Sequence, residues 1–323
     1  MTHDHNADIA EEGRAFDEQI RERIAGGHIP DLRRVEDCDW FHDNPWRRKA
    51  YVELDFGQIF ERVRDAFSTY CPETERLRVL EVGSGPGYMS LELARNGHNV
   101  TGIDPSAGTL AVAQELADSD PWKSERGNLN YIVGDFLTDP AIEGVEYDAV
   151  IFIGSLHHIG DQTGAMKRAH DLLRHGGLVV AHEPTRDRFT EGTVVFTHFI
   201  RTLLSVGGGY FKDVPIPANE EERRRDVEKL LLALKFETEE GDTVQSPNDN
   251  DAGYAEMHGA LTGTFDTLHE EDTYAFFHET IGGLRFDEET NAKLARFIRD
   301  TDAALVKHGI LQATEFFFVG RRG

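Results

Sequence analysis

Between Leu77 and His182 the chain alternates short apolar runs with stretches of helical spacing. The runs are Leu77 to Val82, Asn99 to Ile103, Leu129 to Val133, Tyr147 to Ile153 and Gly177 to His182. Each is followed by turn residues and a helix-compatible stretch, which predicts β-α-β units and a mostly parallel sheet. The helix beginning near Asp161 is expected to stop at His175-Gly176-Gly177, where glycine permits a left-handed end. Upstream the pattern is helical and charged. Ile59, Phe60, Val63, Phe67 and Tyr70 recur at the spacing of one helix face, and Pro72 ends that helix.

Beyond Pro184 the alternation breaks. The stretch to about Gln312 reads as mainly helical, with one strand expected near Lys235 to Val244, and a last strand at Thr314 to Val319 returns to the sheet. The division expected is an N-terminal helical segment (1–75), an α/β core (76–184), a helical insertion (185–311) and a closing core strand (312–323). The insertion and the N-terminal segment should cover the sheet edge where open α/β folds bind ligands, and so select the substrate. Trp40, Trp46, Phe196, Phe199, Phe211 and the Phe276-Phe277 pair are candidates either for an apolar pocket or for the insertion's own core; Trp40, Phe41, Trp46 and Tyr51 form an aromatic cluster in the N-terminal segment.

Composition narrows the classes. A chain of 323 residues with 39% apolar content can bury a sizeable core. Acidic residues number 59 against 34 basic ones, giving a formal charge of -25. Such a field repels phosphate backbones, and the longest basic run, Arg223-Arg224-Arg225, follows three glutamates as a solvated helix face, so no nucleic-acid partner is expected. Adaptation to high salt is one reading of the acidity. Two cysteines, Cys38 and Cys71, exclude a disulfide framework or zinc knuckle. No apolar stretch has membrane-spanning length, so a cytoplasmic protein without a membrane partner is expected; a homodimer through the insertion is left open.

The strand ends carry the chemistry. The first strand runs through Glu81-Val82 into Gly83-Ser84-Gly85-Pro86-Gly87, the second ends in Asp104-Pro105-Ser106, and the third in Gly134-Asp135-Phe136. The fourth leads into Gly154-Ser155-Leu156-His157-His158, and the fifth ends in His182-Glu183. Glycines at a strand-to-helix turn let backbone approach a ligand, and an acid at a strand end can accept from a ribose diol. Taken in this order, the pieces resemble the class I S-adenosylmethionine-dependent methyltransferases of the small-molecule type.

That resemblance covers about Leu77 to Pro184 and the closing strand. It implies a Rossmann-like α/β sheet of seven strands with an antiparallel hairpin at one end, and S-adenosyl-L-methionine as cofactor. It implies further that Glu81, Gly83, Gly85 and Gly87 hold the methionine part, that Asp104 binds the ribose, and that Asp135 and Phe136 hold the adenine, with Gly154 offering a carbonyl. The acceptor is expected to be a small molecule, with oxygen ahead of nitrogen. Methyl transfer from a sulfonium chiefly requires alignment and exclusion of water. Where the acceptor must lose a proton, His157, His158 and Glu183 are the catalytic candidates, with His182 beside them. No clean metal-ligand spacing appears among these four, and no metal is assigned. Two other readings stand beside this one. A nicotinamide-dependent oxidoreductase would want G-x-G-x-x-G, whose third position falls on Tyr88 or Ser90, and a Tyr-x-x-x-Lys pattern, which is absent. A non-catalytic protein could bind the same cofactor without consuming it.

Overall fold

In the computed structural model, residues 5–25, 49–249 and 252–323 are described. In chain order the elements are α1 (His5–Ala25), α2 (Lys49–Leu54), α3 (Phe56–Tyr70), β1 (Arg78–Val82), α4 (Tyr88–Arg95), β2 (Asn99–Asp104), α5 (Ala107–Asp118), β3 (Leu129–Val133), β4 (Tyr147–Ile153), α6 (Gln162–Leu172) and β5 (Leu173–Pro184). Then follow α7 (Glu191–Val206), α8 (Glu220–Lys235), α9 (Tyr254–Thr264), β6 (Asp266–Asp272), α10 (His278–Ile281), α11 (Glu288–Lys307) and β7 (Glu315–Arg321).

The seven strands form one sheet in the order β3-β2-β1-β4-β5-β7-β6. Strands β1 to β5 are parallel, and β7 runs antiparallel between β5 and β6. The order reverses between β1 and β4, which opens a crevice at the strands' carboxyl ends. Because side chains alternate along a strand, the central strands each feed two cores. Leu80, Phe152, Phe316 and Phe318 pack on one face, while Val79, Ile151, Phe317 and Val319 pack on the other. With helices on both faces, these runs are apolar at nearly every position, as a doubly covered sheet requires.

The insertion has a core of its own, in which Phe276 and Phe277 are fully buried with Ile281 and Ile298, and Phe196 packs against them. Phe276 and Phe277 are therefore core residues; Phe199 is 54% exposed. Trp40, Phe41 and Trp46 lie outside the described residues. Among the described residues, no helix is long and apolar enough to cross a membrane.

The hairpin partner is not where the sequence placed it. Lys235 ends α8, Phe236 turns the chain at a left-handed φ of 54°, and only an isolated bridge between Glu237 and Thr243 follows. The strand that pairs with β7 is β6, Asp-Thr-Leu-His-Glu-Glu-Asp. Its side chains are almost all exposed, because it is the sheet's edge and touches the interior chiefly through Leu268. Charged side chains protect such an edge from further pairing, and they also erase the alternation by which a strand is read. Helix α6 likewise stops at Leu172, short of the glycines, and the left-handed Gly176 (φ 75°) falls inside the first residues of β5 rather than at a helix end.

Candidate active site

A cavity of about 860 Å³ opens at the carboxyl ends of β1, β2, β4 and β5. Its floor is the turn after β1. Gly83 adopts φ 66°, and a Cβ there would lie 2.5 Å from Cβ of Ser155, so only glycine lets the ends of β1 and β4 come this close. Gly85 (φ 50°) and Gly154 (φ 64°) are also left-handed, but nothing lies within 4 Å of where their Cβ would be. Both present bare backbone to the cavity. Gly87 differs: it does not line the cavity, and its missing side chain makes room for Tyr131 and Ala113.

Asp104, at the end of β2, accepts from the amides of Gly85 and Ser106, each at 2.8 Å, and from the Thr109 hydroxyl at 3.3 Å. Burial raises its pKa, and these donors offset that only in part. Burial likewise pushes Glu81 up to about 8, against the Ser90 hydroxyl that donates to it. Asp135 caps its own turn, accepting from the Leu137 amide and the Thr138 hydroxyl, while Phe136 is buried edge-to-face against Phe152. Glu81, Asp104, Asp135 and Phe136 all line the cavity.

The opposite wall holds the histidines. After β4 a short 3-10 turn, Leu156–His158, is pinned by Gln162, which donates to the carbonyls of Leu156 and Ile159. Glu183, fully buried at the end of β5, accepts from the amides of Ser155 and Leu156 and lies 2.8 Å from His157 Nδ1. Burial opposes its ionisation, but the His157 contact and those amides hold its pKa below the ordinary value. Burial, and then the neighbouring His158, lower the pKa of His157. The two imidazoles sit with centroids 4.1 Å apart, and His158 Nδ1 is 2.9 Å from Oε1 of Glu12 on α1. Helix α1 thus roofs the cavity. Asp17 fastens it, accepting from the Ser106 hydroxyl at 2.5 Å and the Gly108 amide at 2.6 Å at the start of α5.

A match to a family model described as "Methyltransferase domain" spans residues 51–238. The chain belongs to the methyltransferase-domain family. A ubiquinone biosynthesis O-methyltransferase from Methylocella silvestris is 35% identical over 159 residues, 46% of this chain and 59% of that relative. One from Azorhizobium caulinodans is 31% identical over 105 residues, 32% of this chain and 39% of the relative. The chain spans about half the length of the curated relatives it matches. Among solved structures, the [4+2]-cyclase SpnF superposes with a TM-score of 0.53 at 14% identity, covering 97% of this chain and 96% of that one. This last likeness concerns the fold alone, and a cyclase on the same fold illustrates why the site must decide the chemistry.

The methyltransferase domain brings together around one cavity all the residues expected of it except Gly87, which acts in packing, and Glu183, which stands behind His157. The sequence reading missed Glu12, Asp17, Asp55, Arg186, Asp249, His278 and Glu315. His182 proves to belong to a second buried cluster: its Nε2 lies 3.3 Å from Glu315 Oε2, and His278 Nδ1 lies 2.8 Å from Glu315 Oε1. Asp55, at the start of α3, lies close enough for burial and then the Glu315 charge to raise its pKa. Nothing local marks Asp55, His278 and Glu315, which reach His182 from three separate segments. The one available signal was Glu315 itself, an acid opening an otherwise apolar strand.

Proposed function

We propose that this chain is an S-adenosylmethionine-dependent methyltransferase acting on a small-molecule acceptor, with oxygen the first choice of acceptor atom. The observation that carries the reading is the pair of left-handed glycines, Gly85 and Gly154, that bare their backbone to the cavity beside Asp104. A Cβ at either would fill space that a cofactor needs. On this reading Glu81 and the loop at Gly83 and Gly85 take the methionine end, Asp104 the ribose hydroxyls, Asp135 and Phe136 the adenine, and Gly154 offers its carbonyl. The matched relatives named as O-methyltransferases support oxygen as acceptor.

The bound cofactor would supply an electrophilic methyl group; the protein aligns the acceptor, excludes water and manages a proton. Helix α1 closes the cavity over the site, with Phe16 edge-on to His158 at 5.5 Å. The proton of an acceptor hydroxyl is managed at the His157–His158 pair, which lines the cavity. Glu183 acts through His157 and is a positioning residue.

Titration calorimetry with S-adenosylmethionine, S-adenosylhomocysteine and NADH, at low and high salt, tests the reading. Binding of the first two and not the third is expected, and NADH binding alone would overturn it. Changing His157 and His158 together to alanine should slow methyl transfer by about 10²–10⁴-fold, the span of general acid–base effects, with cofactor affinity kept. Undiminished turnover would remove the pair from the chemistry, and cofactor that binds but is never consumed would favour a non-catalytic binding protein.

A further inference from the structure

Two hydrogen-bond acceptors face each other inside the protein with no donor between them. Because Glu183 is a carboxylate saturated with donors, the proton it receives from His157 resides on Nδ1, and Nε2 carries a bare lone pair. That Nε2 is buried without a hydrogen-bond partner, and so are both carboxylate oxygens of Asp249. Nε2 and Asp249 Oδ1 are 3.7 Å apart, too far for a hydrogen bond, and the residues are only 4% and 2% exposed. Charge points the same way. Glu12, Glu183 and Asp249 put three carboxylates around the two imidazoles, and Arg186, 3.8 Å from Asp249 Oδ1, supplies a single guanidinium. Burying such an excess of negative charge is costly unless a cation joins it.

We propose that His157, His158 and Asp249 hold a divalent transition-metal ion. Each brings one ligand atom, and these lie within 4.8 Å of one another. Zinc bonds to nitrogen and oxygen of about 2.0–2.2 Å set neighbouring ligands roughly 3.3–3.6 Å apart; the His157–Asp249 spacing of 3.7 Å is close to that, and the remaining ligand atoms, within 4.8 Å, must draw together on binding. Both imidazoles are backed by carboxylates, Glu183 at 2.8 Å and Glu12 at 2.9 Å, the outer arrangement that orients metal-bound histidine. The loop carrying Asp249 is fixed over the pair as well. Asn248 donates its amide to Glu12, and Ala252 donates its amide to the His157 carbonyl at 3.1 Å. Two nitrogens and one carboxylate suit zinc, ferrous iron or cobalt, and not magnesium or calcium, which take oxygen. An ion there would border the cavity and occupy the imidazole lone pairs, so the pair would manage the acceptor's proton through the ion, which lowers the pKa of the hydroxyl, rather than by accepting it directly. That catalytic consequence rests on the methyltransferase reading; the metal site does not.

The test uses the full chain carrying His3→Ala and His5→Ala, so that these two N-terminal histidines contribute nothing, stripped with a chelator and titrated with Co²⁺. Binding of a single ion with visible d–d absorption is expected, displaced by Zn²⁺. Glu183→Gln should weaken it by about 10–100-fold, the usual effect of an outer partner. Asp249→Ala should abolish the absorption; should that variant fail to fold, Asp249→Asn keeps the side chain's shape and removes its charge. No Co²⁺ bound, or binding undiminished in the folded Asp249 variant, would overturn the proposal. Co²⁺ bound without any affinity for S-adenosylmethionine would instead overturn the proposed function and leave the metal site standing.

Discussion

Asp104 and Glu315 are both buried carboxylates at the same edge of one sheet, Asp104 closing β2 and Glu315 opening β7. Their surroundings differ in kind. Asp104 faces the cavity with neutral hydrogen-bond donors and only a lesser pull from the charge of His158, and burial leaves its pKa raised. Glu315 does not line the cavity; burial opposes its charge too, yet His278 and His182 hold its pKa well below the ordinary value. A carboxylate with capacity to spare is placed to receive a ligand. One already matched by two imidazoles holds the fold together. The comparison teaches that depth of burial does not distinguish a binding residue from a structural one; what does is whether the protein already satisfies the charge.

The comparison breaks most visibly at Glu315. Glu315→Gln deprives His278 of its nearest charge partner, leaving only Glu279 at 3.6 Å and Asp55 beyond, and should cost about 3–5 kcal/mol of folding stability, measured by denaturant titration, with little change in cofactor affinity per folded molecule. The effect depends on pH. Burial opposes protonation of His278, but Glu315 raises its pKa from 6.5 to about 10, so its contribution is complete below about 6.5 and is lost as pH climbs through 10. Glu315, shifted down from 4.5, contributes above that value and loses its contribution as pH falls. The stability gap between wild type and Glu315→Gln should therefore be widest between those values and shrink toward pH 10; a gap that grows with pH would refute the pairing.

Asp104→Ala should do the reverse. It should weaken S-adenosylmethionine binding by about 1.5–3 kcal/mol, the worth of charge-assisted hydrogen bonds, while changing folding stability less than Glu315→Gln does. Unchanged affinity by calorimetry would sink the ribose assignment. The smallest effect is expected at Asp17, which serves neither purpose directly. Asp17→Ala frees the Gly108 amide and the Ser106 hydroxyl and should cost about 0.5–2 kcal/mol, as loss of a helix cap does, read as faster hydrogen exchange in α1.

The placement of Glu81, Gly83, Gly85 and Asp104 around one cavity was legible because each part of that wall is local. A strand, a turn and the first residues of a helix put Glu81, Gly83 and Gly85 in place, and the end of the next strand places Asp104. The run Leu156-His157-His158 and the strand end His182-Glu183 were equally visible as chemistry, but not their pairing. Neighbours on a strand point to opposite faces, so Glu183 goes to His157 while His182 goes to Glu315, far along the chain. Asp249 and Glu12 reach the histidines from a loop and from α1, and no periodicity records such an encounter. The strand β6 was hidden for another reason: an edge strand facing solvent needs no apolar alternation.

One strand's position also bears on how the molecule assembles. Strand β7 slots between β5 and β6 and supplies Phe316 and Phe318 to one core, Phe317 and Val319 to the other. Its pairing with β5 joins segments separated by the whole helical insertion, and β6 reaches the sheet only through it. Contacts this remote in sequence must bear their loop-closure entropy before they return any packing, which makes them slow to form. Completion of the sheet is thus a late step by this topology, and until it occurs the hydrogen-bonding edge of β5 stands open to water and to other chains.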